Sequence, residues 1–150
     1  MAESTSILND LIETSKDGEK GFRTAADDTR NPELKQIFLQ RADDCARGAA
    51  QLQKIVGRYG DKPETGGSVL GALHRGWVDV KSTLTNRDEV AILEECERGE
   101  DVAKAVYRKA LEDSTLAADV REAVQRQYDA VLRNHDQIRT LRDRYRAQRS

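Results

Sequence analysis

Three ionisable residues occupy positions where the helical pattern of this sequence calls for apolar side chains. Glu19, Glu100 and His135 each lie three or four residues from an apolar residue of the same stripe. Residues at that spacing share one face of a helix, so all three side chains should point inward. A carboxylate in an apolar core is unstable unless it is paired, protonated or bound to a metal ion. The pattern leaves two interpretations open: a buried hydrogen-bonded cluster with partners such as Gln127 or Tyr107, or a metal site.

A glycine precedes each of the two glutamates. The pair Gly18-Glu19 recurs as Gly99-Glu100, and the tracts FRTAADD and VYRKALED follow at nearly the same offset, which suggests duplicated helix pairs. Glycine in a helix interior costs about 1 kcal/mol relative to alanine, so we expect a packing or site-related reason for it. Close approach of two helices would be one such reason, and a backbone distortion at a site would be the other.

The elements that must position these residues are helices. Of the 150 residues, 37% are hydrophobic, 35% are charged and only 5% are aromatic. This composition disfavours a barrel or sandwich and favours long amphipathic helices. The 27 acidic residues nearly balance the 25 basic ones, which disfavours a generally basic nucleic-acid binder. Because the sequence has neither a basic leader nor a run of about 18 apolar residues, we expect one cytoplasmic domain over residues 1–150, with no nucleic-acid or membrane partner.

Start and stop signals divide the chain into four long helices and a shorter one. The long helices are predicted from after Ser6 to about Asp28, from Pro32 to about Tyr59, from Asn86 to about Leu111 and from about Leu116 to Arg146. The shorter helix follows Ser68 in the crossover between the second and third. The tight connection at Asn31 makes the first two helices antiparallel neighbours. The sequence therefore predicts an all-α, antiparallel four-helix bundle with a short helix in the crossover.

Local signals mark two of the helix starts and one helix end. Asn31 followed by Pro32 is typical of an N-cap with proline at the first helical position. Asn86, with Glu89 three residues later, resembles a capping box. The C-terminal tract RTLRDRYRAQRS is a local basic patch. It would suit an anionic partner, or it would simply favour the carboxyl end of the last helix through the helix dipole.

Four tracts resemble the ferritin-like superfamily, and more closely the bacterial family of ferritin-like four-helix-bundle proteins of unknown function. They are KDGEKGF, GSVLGALHRGWVDVK, ECERGEDVAKAVYRKAL and NHDQIRTL. In iron-binding members of the superfamily, two helices each give one Glu and the other two each give a Glu-x-x-His pair. The resemblance matches Glu19 and Glu100 to the two single glutamates, and it matches His135 to the histidine of the fourth helix.

Three of the six ligands of that centre are missing from this sequence. Leu132 stands three residues before His135, where the bridging Glu would be. In the second helix, Cys45 and Gly48 stand where Glu and His would be. The residues that match would suffice for one metal ion but not for two bridged irons. Cys45 is the one replacement that could itself bind a softer metal such as zinc, or it is simply a small buried apolar residue.

We therefore expect a non-catalytic helical-bundle protein with a degenerate ferritin-like metal site and no cofactor. Its role would be structural or partner-binding, with an unknown protein or a second copy as partner, and the resemblance implies an association with stress. The alternative is an iron-binding protein or oxidoreductase, in which Glu19, Glu100 and His135 hold a single iron or zinc ion.

Overall fold

A computed structural model describes residues 2–58, 89–114 and 116–149, with side chains described from residue 6 to residue 148 within those ranges. These ranges form four helices and no strand. The helices are α1 (Ala2–Asp28), α2 (Pro32–Arg58), α3 (Glu89–Leu111) and α4 (Ala118–Arg149). The prediction of an all-α four-helix bundle is confirmed. The predicted crossover helix after Ser68 and the predicted cap at Asn86 lie outside the described residues.

Asn31 caps α2 as predicted. Its Oδ1 accepts hydrogen bonds from the backbone N–H groups of Glu33 at 2.9 Å and Leu34 at 3.1 Å. These are two of the donors that the start of a helix leaves without a partner. Pro32 follows at the first helical position, where the missing N–H is no loss. The Asn31 amide also donates to the Tyr145 hydroxyl at 2.6 Å, which ties the α1–α2 turn to the last turns of α4.

The same turn is tied to the start of α3. The carboxylate of Glu89 accepts hydrogen bonds from the Thr29 hydroxyl and from the backbone N–H of Arg30, the latter at 3.0 Å. A carboxylate can accept about four hydrogen bonds, so the Glu89 carboxylate can accept these two and still accept others within α3. The first residue of α3 is therefore fixed beside the last residues of α1.

Neighbouring helices in the bundle run antiparallel. Wherever two helices touch, residue numbers rise along one helix and fall along the other. Contacts of this kind join Thr29 to Glu89 and Ser15 to Tyr107 across α1 and α3, and Glu33 to Arg144 and Gly48 to Gln127 across α2 and α4. The helices α2 and α3 make no seam with each other, so they are diagonal and parallel. The end of α2 and the start of α3 consequently lie at opposite ends of the bundle.

The apolar core consists of two clusters, one at each end of the bundle. Leu11, Leu52 and Val124 are fully buried in the cluster at the start of α1. Phe38 and Ile138 are fully buried in the other cluster, near the α1–α2 turn. These residues belong to the stripes predicted from the helical period. Polar residues that interrupt the predicted apolar stripes lie in the middle of the bundle, between the two clusters.

The basic residues of the last helix are paired with acids. Four ion pairs link Arg139 to Asp136, Arg142 to Glu97, Arg144 to Glu33 and Arg146 to Glu94. Three of these pairs are largely exposed and contribute at most about 1 kcal/mol each, whereas the Arg142–Glu97 pair is mostly buried. Among the described residues, no helix has an apolar stretch long enough to cross a membrane.

The cap at Asn31 provides a test of how the turn stabilises the bundle. Asn31→Ala removes both the cap oxygen and the donor to Tyr145, so it should lower the free energy of unfolding by about 1 to 2 kcal/mol. Asn31→Asp keeps the cap oxygen and loses only the donor, so its loss should be smaller. Urea unfolding of the three proteins measures both effects. An Asn31→Ala variant as stable as the wild type would show that the cap contributes nothing.

Candidate functional site: a polar cavity between two apolar clusters

A cavity of about 110 Å³ lies in the middle of the bundle, between the two apolar clusters. All four helices contribute to its wall. Small residues leave the space: Gly18 on α1, Gly48 on α2, and Gly99 and Ala103 on α3. The two glycines of the repeated Gly-Glu pair, Gly18 and Gly99, thus lie on the same cavity. Because neither glycine has a side chain, both leave space in the cavity wall.

Glu100 provides a buried carboxyl on the cavity wall. The residue is only 5% exposed, and its Oε1 has no hydrogen-bond partner among the described residues. Burial raises the pKa of this carboxyl to about 8, and the nearby guanidinium of Arg41 opposes the rise without cancelling it. Two further acids, Asp101 and Glu97, add to the rise. Glu100 is therefore mostly protonated at neutral pH.

A chain of hydrogen bonds occupies another part of the wall. The Tyr107 hydroxyl donates to Gln127 Oε1 at 2.8 Å, and the Ser15 hydroxyl lies 3.4 Å from the same Tyr107 oxygen. The Gln127 amide donates to the carbonyl of Gly48 at 3.3 Å and to Gln51 Oε1 at 2.7 Å. The sequence proposed Tyr107 and Gln127 as partners for the buried glutamates. The structure instead pairs them with each other, so they do not satisfy Glu100.

Cys45 of α2 lies on the cavity wall and faces Gly18 of α1. A Cβ added at Gly18 would lie 3.0 Å from Cys45 Sγ, which is tighter than most real contacts of this kind. Close helix approach, one of the two reasons that the sequence offered for this glycine, is therefore confirmed at Gly18. Burial raises the pKa of the Cys45 thiol to about 12, and the charge of Glu100 adds to the rise. The thiol stays protonated at neutral pH, a state in which sulfur is a poor nucleophile.

His135 is buried, as predicted, but its partners belong to α3. The residue is 7% exposed, and its Nε2 lies 2.7 Å from Asp101 Oδ1 and 3.7 Å from Glu97 Oε2. Glu97 also pairs with Arg142. The imidazole thus belongs to a charged cluster in the α3–α4 seam. It is held there by residues that lie on the polar side of the predicted stripe.

Glu19 lies on the surface side of α1 and not in the core. Its side chain keeps 23% of its exposure and pairs with Arg23, one helical turn later, at 2.9 Å. Arg23 also reaches Asp43 of α2 at 3.4 Å. Glu19 is therefore only partly exposed, and it lies outside the two apolar clusters. A basic partner at the i,i+4 position stabilises the carboxylate at the edge of the α1–α2 seam.

The residues present do not fit a centre with two metal ions. Among the described residues, no three His, Cys, Asp or Glu side chains are arranged so that they could hold a metal ion. Glu100 lines the cavity, His135 lies in the α3–α4 seam and Glu19 lies at the surface. Cys45 and Gly48 line the cavity where the resemblance would require a carboxylate and an imidazole.

Sequence reasoning missed the neighbours that set the charge around the cavity. Arg41 acts on both Glu100 and Cys45, while its guanidinium contacts Asp44, at 3.4 Å, and Gln137. Like Asp101, it lies beside the predicted stripe and not on it. The pattern along one helix assigns such residues to solvent, and only the position of the next helix brings them to the site.

Fold and site together define a four-helix-bundle protein with a central cavity and an unpartnered buried carboxyl. The chain belongs to the family described as Domain of unknown function (DUF2383), whose model matches residues 3–113. The matched range includes α1, α2 and α3, with Glu19 and Glu100, and ends before His135. No curated protein matches the chain.

The raised pKa of Glu100 predicts how stability depends on pH. Between the ordinary carboxyl pKa of 4.5 and about 8, the folded protein binds a proton at Glu100 that the unfolded chain has lost, so this residue makes folding less favourable as pH rises. Relative to Glu100→Gln, the wild type should lose about 3 kcal/mol of unfolding free energy between pH 5 and pH 8.

Urea unfolding at several pH values measures this difference. Glu19→Gln is the matched control, because it removes the same carboxyl from a partly exposed position that is paired with Arg23. Parallel profiles for the wild type and Glu100→Gln would mean that Glu100 titrates normally.

Close packing at Gly18 can be tested by a double-mutant cycle with Cys45. In a Cys45→Ala background, Gly18→Ala should raise the free energy of unfolding by about 1 kcal/mol, because alanine is the better helix former. With Cys45 present, the sulfur obstructs the new methyl group, so the gain should shrink or reverse. Additive effects would show that the contact is unimportant.

Proposed function

We propose that this protein is a non-catalytic helical-bundle protein whose central cavity is a degenerate ferritin-like metal site. The observation that carries this proposal is the composition of the cavity wall. One carboxyl, Glu100, remains without a partner, while Cys45 and Gly48 stand at the positions of two ligands. Tyr107 and Gln127 are already engaged with each other. Such a wall keeps the polar character of a metal site without its ligand set.

The relative orientation of the second and third helices supports a relation to ferritin-like bundles. The helices α2 and α3 are parallel, and the residues between them join opposite ends of the bundle. One long crossover connection between the second and third helices is the arrangement of ferritin-like folds, whereas simple up-down bundles use short loops throughout.

The state of the ionisable groups supports a non-catalytic role. A carboxyl of raised pKa in a cavity is a feature of many catalytic acids, so Glu100 by itself would suit acid–base chemistry. The nearest candidate nucleophile on the described wall is Cys45, whose pKa of about 12 keeps the thiol protonated. The Tyr107 hydroxyl also has a pKa that burial raises to about 12. Glu100 thus has no activated partner on the wall.

The role that we propose is structural or partner-binding, with another protein or a second copy of the chain as partner. The association with stress rests on the resemblance alone. The competing function is an iron-binding protein or oxidoreductase that uses Glu19, Glu100 and His135, and the free oxygen of Glu100 is the observation that favours it.

Metal analysis separates these functions. The full chain, purified without chelator and then supplied with Fe²⁺ or Zn²⁺ and desalted, should retain well below one ion per chain, because Glu19 and His135 are engaged away from Glu100. The same measurement on Glu100→Gln provides the matched control and should give the same background. Stoichiometric iron that disappears in Glu100→Gln, with an absorbance change that depends on oxygen, would overturn the proposal in favour of the competing function.

A further inference from the structure

We infer that the central cavity is a binding site for a small amphipathic cation, a primary alkylammonium ion whose head pairs with Glu100 and whose short stem contacts the apolar wall. The inference rests on the proposed function in one respect, since the cavity must be free of a resident metal ion. It goes further by assigning the cavity a chemical class of ligand.

The size of the cavity limits the ligand. Its volume of about 110 Å³ is somewhat smaller than that of an engineered cavity of about 150 Å³ that binds benzene. A molecule of about five non-hydrogen atoms would fill it. This excludes nucleotides, sugars and peptides as complete ligands, and it leaves small amines, alcohols and acids.

The charge of the cavity wall distinguishes between amines, alcohols and acids as ligands. The ionisable carboxyls on the described part of the wall are Glu100 and Asp44, and no Lys, Arg or His side chain lines it. Asp44 is already paired with Arg41, at 3.4 Å, and with Arg47. The Glu100 carboxyl remains, with Oε1 lacking a hydrogen-bond partner. An anion would meet acidic groups without a cation to bind it, whereas an ammonium head would supply the missing donors.

The other wall residues favour an apolar stem over a polar one. Phe22, Ala103 and Val131 contribute apolar surface. The polar groups of Tyr107 and Gln127 are used in their own hydrogen bonds and offer little to a second polar group on the ligand. A ligand with one charged end and a short hydrocarbon stem therefore fits the wall better than a polar molecule of equal size.

The ligand would enter between α2 and α4. These two helices make the loosest of the four seams, and the cavity is partly open. Asp44 and Gly48 of α2 and Ala130 and Asn134 of α4 line this side.

Binding of an ammonium ion requires the Glu100 carboxyl to lose its proton. Since burial raises the pKa of Glu100 to about 8, the carboxyl is mostly protonated at neutral pH and must ionise to pair with an ammonium ion. The O–H bond breaks, the proton passes to the buffer and the carboxylate accepts N–H donors from the ligand.

Three probes of equal chain length test the inference: n-butylammonium, n-butanol and n-butyrate. Isothermal titration calorimetry with full-length, chelator-treated protein should show n-butylammonium binding about tenfold tighter than n-butanol at pH 8, with n-butyrate weakest. Glu100→Gln should remove the preference for the amine and leave the affinity for n-butanol unchanged. Glu19→Gln, which removes a carboxyl outside the cavity, should behave as the wild type.

A second variant keeps the test independent of Glu100. Ala103→Leu fills the cavity and should weaken both n-butylammonium and n-butanol about tenfold or more. Circular dichroism and urea midpoints establish that each variant is folded. Equal affinity for amine and alcohol, an unchanged preference in Glu100→Gln, or no binding by the folded, metal-free wild type would overturn the inference. Stoichiometric metal before chelation would overturn the proposed function instead, so the two failures are distinguishable.

Discussion

Burial of the Glu100 carboxyl is the constraint around which the middle of this bundle is arranged. A carboxylate removed from water without a partner is strongly destabilised, so the group stays protonated near neutral pH and its pKa rises to about 8. The bundle tolerates this cost because an apolar cluster packs on each side of the cavity. Burial of one large apolar side chain contributes about 1.5 to 3 kcal/mol, and each cluster contains several. The ends of the bundle therefore hold the helices together while the middle departs from ordinary core packing.

The remaining ionisable residues divide according to where they can keep water or a partner. Glu19 pairs with Arg23 beside solvent, and the arginines of α4 meet acids across the seams. His135 is the buried member of this second group, and Asp101 and Glu97 of α3 surround its Nε2. Most of these charged groups thus lie beside an opposite charge in the seams between helices, whereas Glu100 on the cavity wall keeps an oxygen without a hydrogen-bond partner. This division explains why the three residues predicted to share a site are separated: each takes the nearest partner that its position on a helix allows.

The family of the chain gives no activity, so the cavity must provide the argument about function. A wall with one free carboxyl and a thiol that stays protonated is poorly suited to metal or acyl chemistry, but it retains a directional site for positive charge. The proposed degenerate metal site and the proposed amine site therefore depend on the same physical feature, a buried carboxyl with a free oxygen. The ligand that we propose is accordingly a small cationic molecule that pairs with Glu100. The loose seam between α2 and α4 gives such a partner access.

The sequence by itself determined the helices, the cap at Asn31 and the burial of Glu100, because each follows from contacts within a few residues or from the helical period. Asn31 meets its N–H partners two and three residues later, and the apolar stripes need only the 3.6-residue repeat. Tertiary structure decided why Glu19 and Glu100, which follow identical glycines, have opposite fates. The helical period alone indicates a face, whereas Arg23, which also pairs with Asp43 of α2, holds the Glu19 carboxylate at the edge of the α1–α2 seam. Only the position of α4 decided that Tyr107 would bind Gln127 and that His135 would bind Asp101, because partners across a seam leave no signal along either helix.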